Sequence, residues 1–246
     1  MVNERLRRAM HQAGLDIPSL ADAAEVSTKT VERWIGGKIP YPRTRYRVAA
    51  ILHEDESYLW PDTVSRASLA GAEVVATYPR RSDVPSHLWM ELLRSAERDV
   101  DLLAFAGLFL TEEHPGWLGT LAAKAEQGAR VRLLLGDPAG GQLAARDTEH
   151  RVGGGVAGRV AAVLAYYTQR MPNSVEIRLH DTPLYNSIYR FDDEMLVNVH
   201  AYGLLAAFTP VLHLRRIDGT YFGTYTESYE RVWASARPAD ALMESG

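Results

Sequence analysis

The sequence predicts a multidomain protein with a small all-α domain first and an α/β domain, an α-β-α sandwich, after it. Three observations carry that prediction. Up to about residue 60, apolar residues recur at i, i+3, i+4 in short segments separated by Gly, Pro and capping residues. From about residue 86 helical spacing alternates with apolar strand runs, and from Val175 strand runs follow one another directly. Charge also divides: residues 1–47 hold 9 Lys/Arg against 5 Asp/Glu, whereas the remainder holds 18 against 26. A basic first unit on an acidic body points to a polyanion partner for the first alone. The 246 residues, 46% hydrophobic and 24% charged, allow two modest cores. There is no cysteine, which excludes disulfides, thiolate metal sites and thiol catalysis. No run approaches 18 uncharged apolar residues and the first residues are charged, so the expectation is a cytoplasmic protein without a membrane partner.

In the first unit Leu6, Ala9, Met10 and Ala13 form one helical stripe stopped by Gly14. Asp16 caps a second helix with Pro18 in its first turn, and Leu20, Ala21 and Ala24 face inward. Ser27 caps a third, with Val31, Trp34 and Ile35 buried and Gly36-Gly37 ending it; Pro42 opens a fourth with Val48, Ile51 and Leu52 on one side. Only "EVS" joins the second and third helices, and the third exposes Thr28, Lys29, Glu32 and Arg33. That layout is a helix-turn-helix. The run "SLADAAEVSTKTVERWIGGKIPYPRTR" resembles the XRE-type, Cro/repressor-like DNA-binding domain over about residues 3–60, most specifically from Ser27 to Gly37. The resemblance implies base-facing roles for Thr28, Lys29 and Arg33 and phosphate contacts for Lys38, Arg43 and Arg45. Ile17 departs from the family, which often has Gln there. One such module touches few phosphates, so double-stranded DNA requires a homodimer, assembled through the rest of the chain.

The expected domains are residues 1–62, a linker at 63–85 that is Arg/Pro-punctuated and holds one short element, and 86–246. Trp89, Leu92, Leu93 and Ala96 mark a helix before an apolar strand "VDLLAFAGLFL"; Leu118, Leu121, Ala122 and Ala125 mark another, stopped at Gly128, before "RVRLLLGDP". A third helix spans roughly Val156 to Tyr167. The preceding "GGGVAG" lacks P-loop spacing and reads as a loop. Strands "VEIRLH", "NSIYRF", "MLVNVH" and "VLHLRR" precede a closing helix in "YTESYERVWASA".

This order, with "GARVRLLLGDP" and then strand-turn-strand, resembles the phospholipase-D-like fold over about residues 70–240. Working members carry His-x-Lys-x4-Asp followed by Gly-Ser-x-Asn, with the His attacking phosphorus and no metal required. Aligned on its Asp, the motif falls on Tyr185, Ser187 and Asp192, then on Val199, His200 and Tyr202; only the Asp remains. Without a nucleophilic imidazole and its ammonium partner the expectation is no enzyme, no catalytic residue, no metal and no cofactor. Strand alternation sets Tyr185, Ser187 and Tyr189 on one face and Asn198, His200 and Tyr202 on one face of the next strand. Tyr185, Ser187, Asn198, His200 and Tyr202 are therefore candidates for a small-molecule effector pocket, with a satisfied polar core or a dimer seam as the alternative. His213 reads as a core or seam residue, and His180, Asp181 and Asp192-Asp193 as turn residues. The whole reads as a dimeric transcriptional regulator; the rivals are a DNA-targeted phosphodiesterase and a scaffold without ligand.

Overall fold

The computed structural model describes residues 2–63, 71–150, 155–217 and 220–239. The chain forms two compact units: residues 1–73 with 217–221, and residues 74–216 with 222–246.

The first unit holds α1 (Glu4–Gln12), α2 (Ile17–Ala23), α3 (Thr28–Ile35), α4 (Pro42–Leu52) and α5 (Glu56–Leu59). Their starts are set by side chains that accept otherwise orphaned amides: Asn3 from Leu6, Asp16 from Ser19 and Ser27 from Thr30. Leu6, Leu20, Val31, Trp34, Val48 and Leu59 pack into one core, as the helical spacing predicts. Ile217, from far along the chain, is buried in the same core. The α2–α3 turn places Glu25 at φ 55°, a left-handed conformation that glycine adopts at lower cost.

The second unit is built on an eight-stranded mixed sheet. Its strands are β1 (Val74–Tyr78), β2 (Asp99–Leu103), β3 (Arg130–Gly136), β4 (Val175–His180), β5 (Asn186–Phe191), β6 (Glu194–Val199), β7 (Val211–Arg215) and β8 (Arg237–Pro238), in the order β1-β7-β6-β5-β2-β3-β4-β8. β2, β3 and β4 are parallel, as helical crossovers require, and β5, β6 and β7 form an antiparallel meander joined to β2 through β5. One face packs against α6 (Ser86–Ser95), α7 (Phe109–Glu113), α8 (Trp117–Glu126), α9 (Gly141–His150) and α10 (Gly155–Arg170), with Trp89, Trp117, Leu121, Val160 and Tyr167 at the centre. The other face packs Leu103, Leu134, Ile188 and Val197 against Phe222, Tyr229 and Trp233 of α11 (Tyr221–Ser235). This is the mixed α/β architecture the sequence predicts.

Three readings need correction. The short element expected within the linker at 63–85 is β1, which pairs with β7 and so belongs to the sheet rather than to a linker, and a 3-10 turn follows at Arg81–Asp83; residues 64–70 lie outside the described residues. The expected strand "VDLLAFAGLFL" is regular only to Leu103: Gly107 at φ 66° turns the chain, and Phe109 begins α7. A helix absent from the sequence reading, α9, follows β3. Of the "GGGVAG" run, Gly153 and Gly154 lie outside the described residues, while Gly155 begins α10 and Val156 to Gly158 continue it, so the helix starts inside the run read as a loop.

Candidate functional site

In the helical unit Thr28, Lys29 and Arg33 are exposed along α3, opposite the buried Val31, Trp34 and Ile35. Lys38 and Arg43 are exposed in and just after the loop that follows. Arg45 is not available for the phosphate expected of it. Its Nε donates to Glu56 at 2.6 Å and its Nη1 to the Pro40 carbonyl at 3.0 Å, so it clamps α4 to α5 from a half-buried position. Tyr41 and Tyr46, passed over in the sequence, are exposed beside Arg43.

In the α/β unit the strand ends of β2, β5 and β6 border a cavity of about 450 Å³. Its floor is built by pairing: Ser187 on β5 sits opposite Asn198 on β6, and His200 just beyond β6 closes on Ser187. The Ser187 Oγ lies 3.1 Å from His200 Nε2, and His200 Nδ1 lies 3.2 Å from the Leu184 carbonyl oxygen. A carbonyl only accepts, so Nδ1 carries the ring proton, Nε2 is bare, and the Ser187 hydroxyl donates to it. Burial, reinforced by the Arg146 guanidinium, pushes His200 from the ordinary 6.5 to about 4 and keeps it neutral. Tyr189 is buried beside Ser187; burial raises its phenol, while Arg81 and Ser187 pull the other way. Arg81 lies over the Phe109 ring, 3.6 Å from its centroid. Apolar walls come from Phe105, Leu108 and Phe208.

Of the five pocket candidates, only Ser187 and His200 line this cavity. Tyr185 and Tyr202, 77% and 90% exposed, border a neighbouring groove of about 310 Å³ that shares His200, Phe105 and Arg146 with it. Asn198 is wholly buried, with its amide nitrogen donating to Thr209 and to the Pro210 carbonyl, and so belongs to the core alternative. Sequence reasoning missed Arg81, Phe105, Phe109 and Arg146, which come from a 3-10 turn, a loop and two helices and converge only in three dimensions.

Asp192 has a structural task that accounts for its presence without its motif partners. Held at φ 53° in the β5–β6 turn, it accepts from the backbone amides of Glu97, Arg98 and Asp99 at 2.7–2.9 Å. It thus ties that turn to the start of β2, rather than bonding its own backbone as a turn residue does. Asp181 likewise accepts from Gly141 and Gln142 at the start of α9. His213 is bound to Glu194 at 2.6 Å. Arg190 on β5 is buried on Asp99 and Asp101. Among the described residues no group of three His, Asp or Glu is arranged to hold a metal ion, and no helix is long and apolar enough to cross a membrane.

Fold and site together define a helical unit joined to a mixed α/β unit with a polar-floored cavity at its strand ends. Residues 71–240 match the family described as a domain of unknown function (DUF5919), and the chain belongs to that family. Among solved structures it is similar to TrmBL2, described as an archaeal chromatin protein with a novel mode of DNA binding, at 13% identity and a TM-score of 0.43. That match covers 86% of this chain and 66% of TrmBL2. It is also similar to Nuc of Salmonella typhimurium, a phospholipase D family member, at 12% identity and a TM-score of 0.39, over 62% of this chain and 88% of that one. No curated protein matches the chain.

Proposed function

We propose that the protein is a dimeric, DNA-binding transcriptional regulator of XRE type whose α/β domain binds a small-molecule effector and has no phosphodiesterase activity. The observation that carries the DNA half is α3: Thr28, Lys29 and Arg33 stand exposed on a helix whose other side is fixed in the core by Val31 and Trp34. A helix locked in that way presents its polar N-terminal residues as a rigid unit to the major groove, where Arg and Lys meet the paired acceptors of guanine. Lys38 and Arg43 flank it as phosphate contacts. Two copies supply two recognition helices for a pseudo-palindromic site.

The effector reading rests on the cavity, concave, walled by aromatics and floored by a few convergent polar groups. An effector that binds one arrangement of the dimer better than the other shifts half-site spacing. Loss of chemistry is supported by His200, whose pKa of about 4 makes it a poor base for Ser187, and by the absence of the motif His and Lys.

Selection of bound sequences from a random duplex pool tests the proposal. A consensus should emerge. Arg33→Ala should weaken binding by about 1–3 kcal/mol and relax one base position, whereas Lys38→Ala should weaken all sequences alike and lower the salt slope by about one. Failure to enrich any sequence, with Arg33→Ala behaving as wild type, overturns the DNA reading. Metal-free cleavage of DNA that disappears in Ser187→Ala or His200→Ala establishes the phosphodiesterase instead.

A further inference from the structure

We infer that the cavity takes a small organic monoanion, with a carboxylate head on Arg81 and an aromatic or branched apolar body along Phe105 and Leu108. This rests on the effector reading above and gives it a chemical class.

Arg81 is the observation that leads there. Other arginines withdrawn from solvent in this unit have an acceptor at hydrogen-bond distance: Arg132 has Asp101 and Glu230, Arg190 has Asp99 and Asp101, Arg146 has Glu149, and Arg178 has the Trp233 carbonyl. Arg81 is half-buried in the cavity wall, stacked on Phe109 with the neutral Tyr189 phenol as its hydrogen-bond acceptor, and among the described residues no carboxylate forms an ion pair with it. A partly desolvated guanidinium without a counterion is costly, and the cost falls when an anion arrives. Stacking on Phe109 also fixes the planar fork in place, so little side-chain entropy is lost on engaging a carboxylate.

The hydrogen-bond directions on the floor point the same way. His200 donates to Leu184, and the Ser187 proton is committed to His200. Neither has a proton left for the ligand, and the Tyr189 phenol between them and Arg81 spends its own on the Ser187 oxygen, so the strong donors facing the interior are those of Arg81. Arg146 is already neutralised by Glu149 at 2.7 Å. Arg159, Glu112 and Glu113 also line the cavity but are exposed, where solvent screens their charges. One uncompensated cation inside matches one negative charge, not a polyphosphate. The remaining wall is apolar, and a cavity of about 450 Å³ suits a ligand with a carbon body rather than a bare ion.

The test uses the full-length protein and paired probes that differ only in charge: 4-fluorobenzoate and 4-fluorobenzamide, followed by fluorine NMR line broadening. The acid is expected to bind at least about tenfold more tightly than the amide, and Arg81→Gln to remove that preference. Arg94→Gln, on the exposed side of α6, controls for the loss of a positive charge and should bind as wild type. Melting of each variant confirms folding. Should acid and amide bind equally, or should Arg81→Gln leave the acid's affinity intact, the monoanion assignment falls while the pocket survives. Inorganic phosphate displacing the acid at equal concentration also overturns it, in favour of a phosphate site. If neither probe binds at millimolar concentration, the monoanion and the effector pocket fall together.

Discussion

His200 has one tautomer dictated by its neighbours, because the Leu184 carbonyl takes the Nδ1 proton and the Ser187 hydroxyl fills Nε2. Protonating the ring breaks the second bond and places a charge beside Arg146 in a desolvated site, hence a pKa near 4 in the folded chain against 6.5 unfolded. Between those values the unfolded chain binds the extra proton. Stability is therefore full above pH 6.5, declines as pH falls, and loses up to about 3 kcal/mol from this residue by pH 4. His114, His150 and His180 are also lowered, mainly by burial, and contribute in the same direction. The diagnostic measurement is thus the difference between wild type and His200→Gln in chemical denaturation across pH 4–7: the variant should have the shallower acid limb, and parallel limbs would refute the assignment. Glu25 offers an opposite case. Its φ of 55° costs a side chain roughly 1 kcal/mol, and its bond to Arg47 is exposed, so Glu25→Gly should raise stability by a few tenths to about 1 kcal/mol; a lower melting temperature would show that the ion pair outweighs the strain.

At the scale of elements, β2, β3 and β5 are held together by more than their ladders. Asp101 lies between Arg132 and Arg190 in register, accepting from both at 2.7 and 2.9 Å; Arg190 reaches on to Asp99, and Arg132 forks onto Glu230 of α11. Burial alone lowers Arg132, yet Glu230 and Asp101 hold it above its ordinary range. Asp101→Ala leaves two buried guanidinium groups short of an acceptor and should destabilise the protein by about 3–5 kcal/mol in urea unfolding, far more than a surface pair would; a loss under 1 kcal/mol would mean that water or Asp99 replaces it. Nothing in "VDLLAFAGLFL" announced this network, because each charge is an isolated polar residue until the register brings the three strands together. What was legible had a local cause: caps at Asp16 and Ser27, helical stripes, and the strand-turn-strand around Asp192. β1 was read only as a short element of a linker, because "VVATY" is a five-residue edge strand between Glu73 and Pro79 with no fully buried face. The site was legible only at Ser187 and His200. Tyr185, His200 and Tyr202 all lie beyond the strand ends, where alternation stops predicting direction, and of the three His200 alone turns into the cavity.

At the scale of the whole molecule, the chain enters the helical unit twice. Ile217, just after β7, is 1% exposed in the core that Leu6, Leu20, Val48 and Leu59 form, and Tyr221 donates its backbone amide to the buried Glu73. A linear division at residue 62 or 73 therefore removes a core side chain from the first unit, and one apolar residue in "RRIDGTYF" gives a sequence reader no reason to expect it. Ile217→Ala should destabilise the helical unit by about 2–5 kcal/mol through the lost burial and the cavity left behind. Hydrogen exchange locates the effect: amides of α1 and α4 should exchange faster in Ile217→Ala, whereas Val211→Ala, whose side chain is fully buried in the sheet core, should act on β6 and β7. A fragment of residues 1–73 should resemble Ile217→Ala, with weakened protection in the same helices, and binding of duplex DNA should restore part of it by mass action if α3 is the reading helix. Undiminished protection of α1 and α4 in both Ile217→Ala and the fragment would show that the first pass of the chain is self-sufficient and that Ile217 merely rests on it.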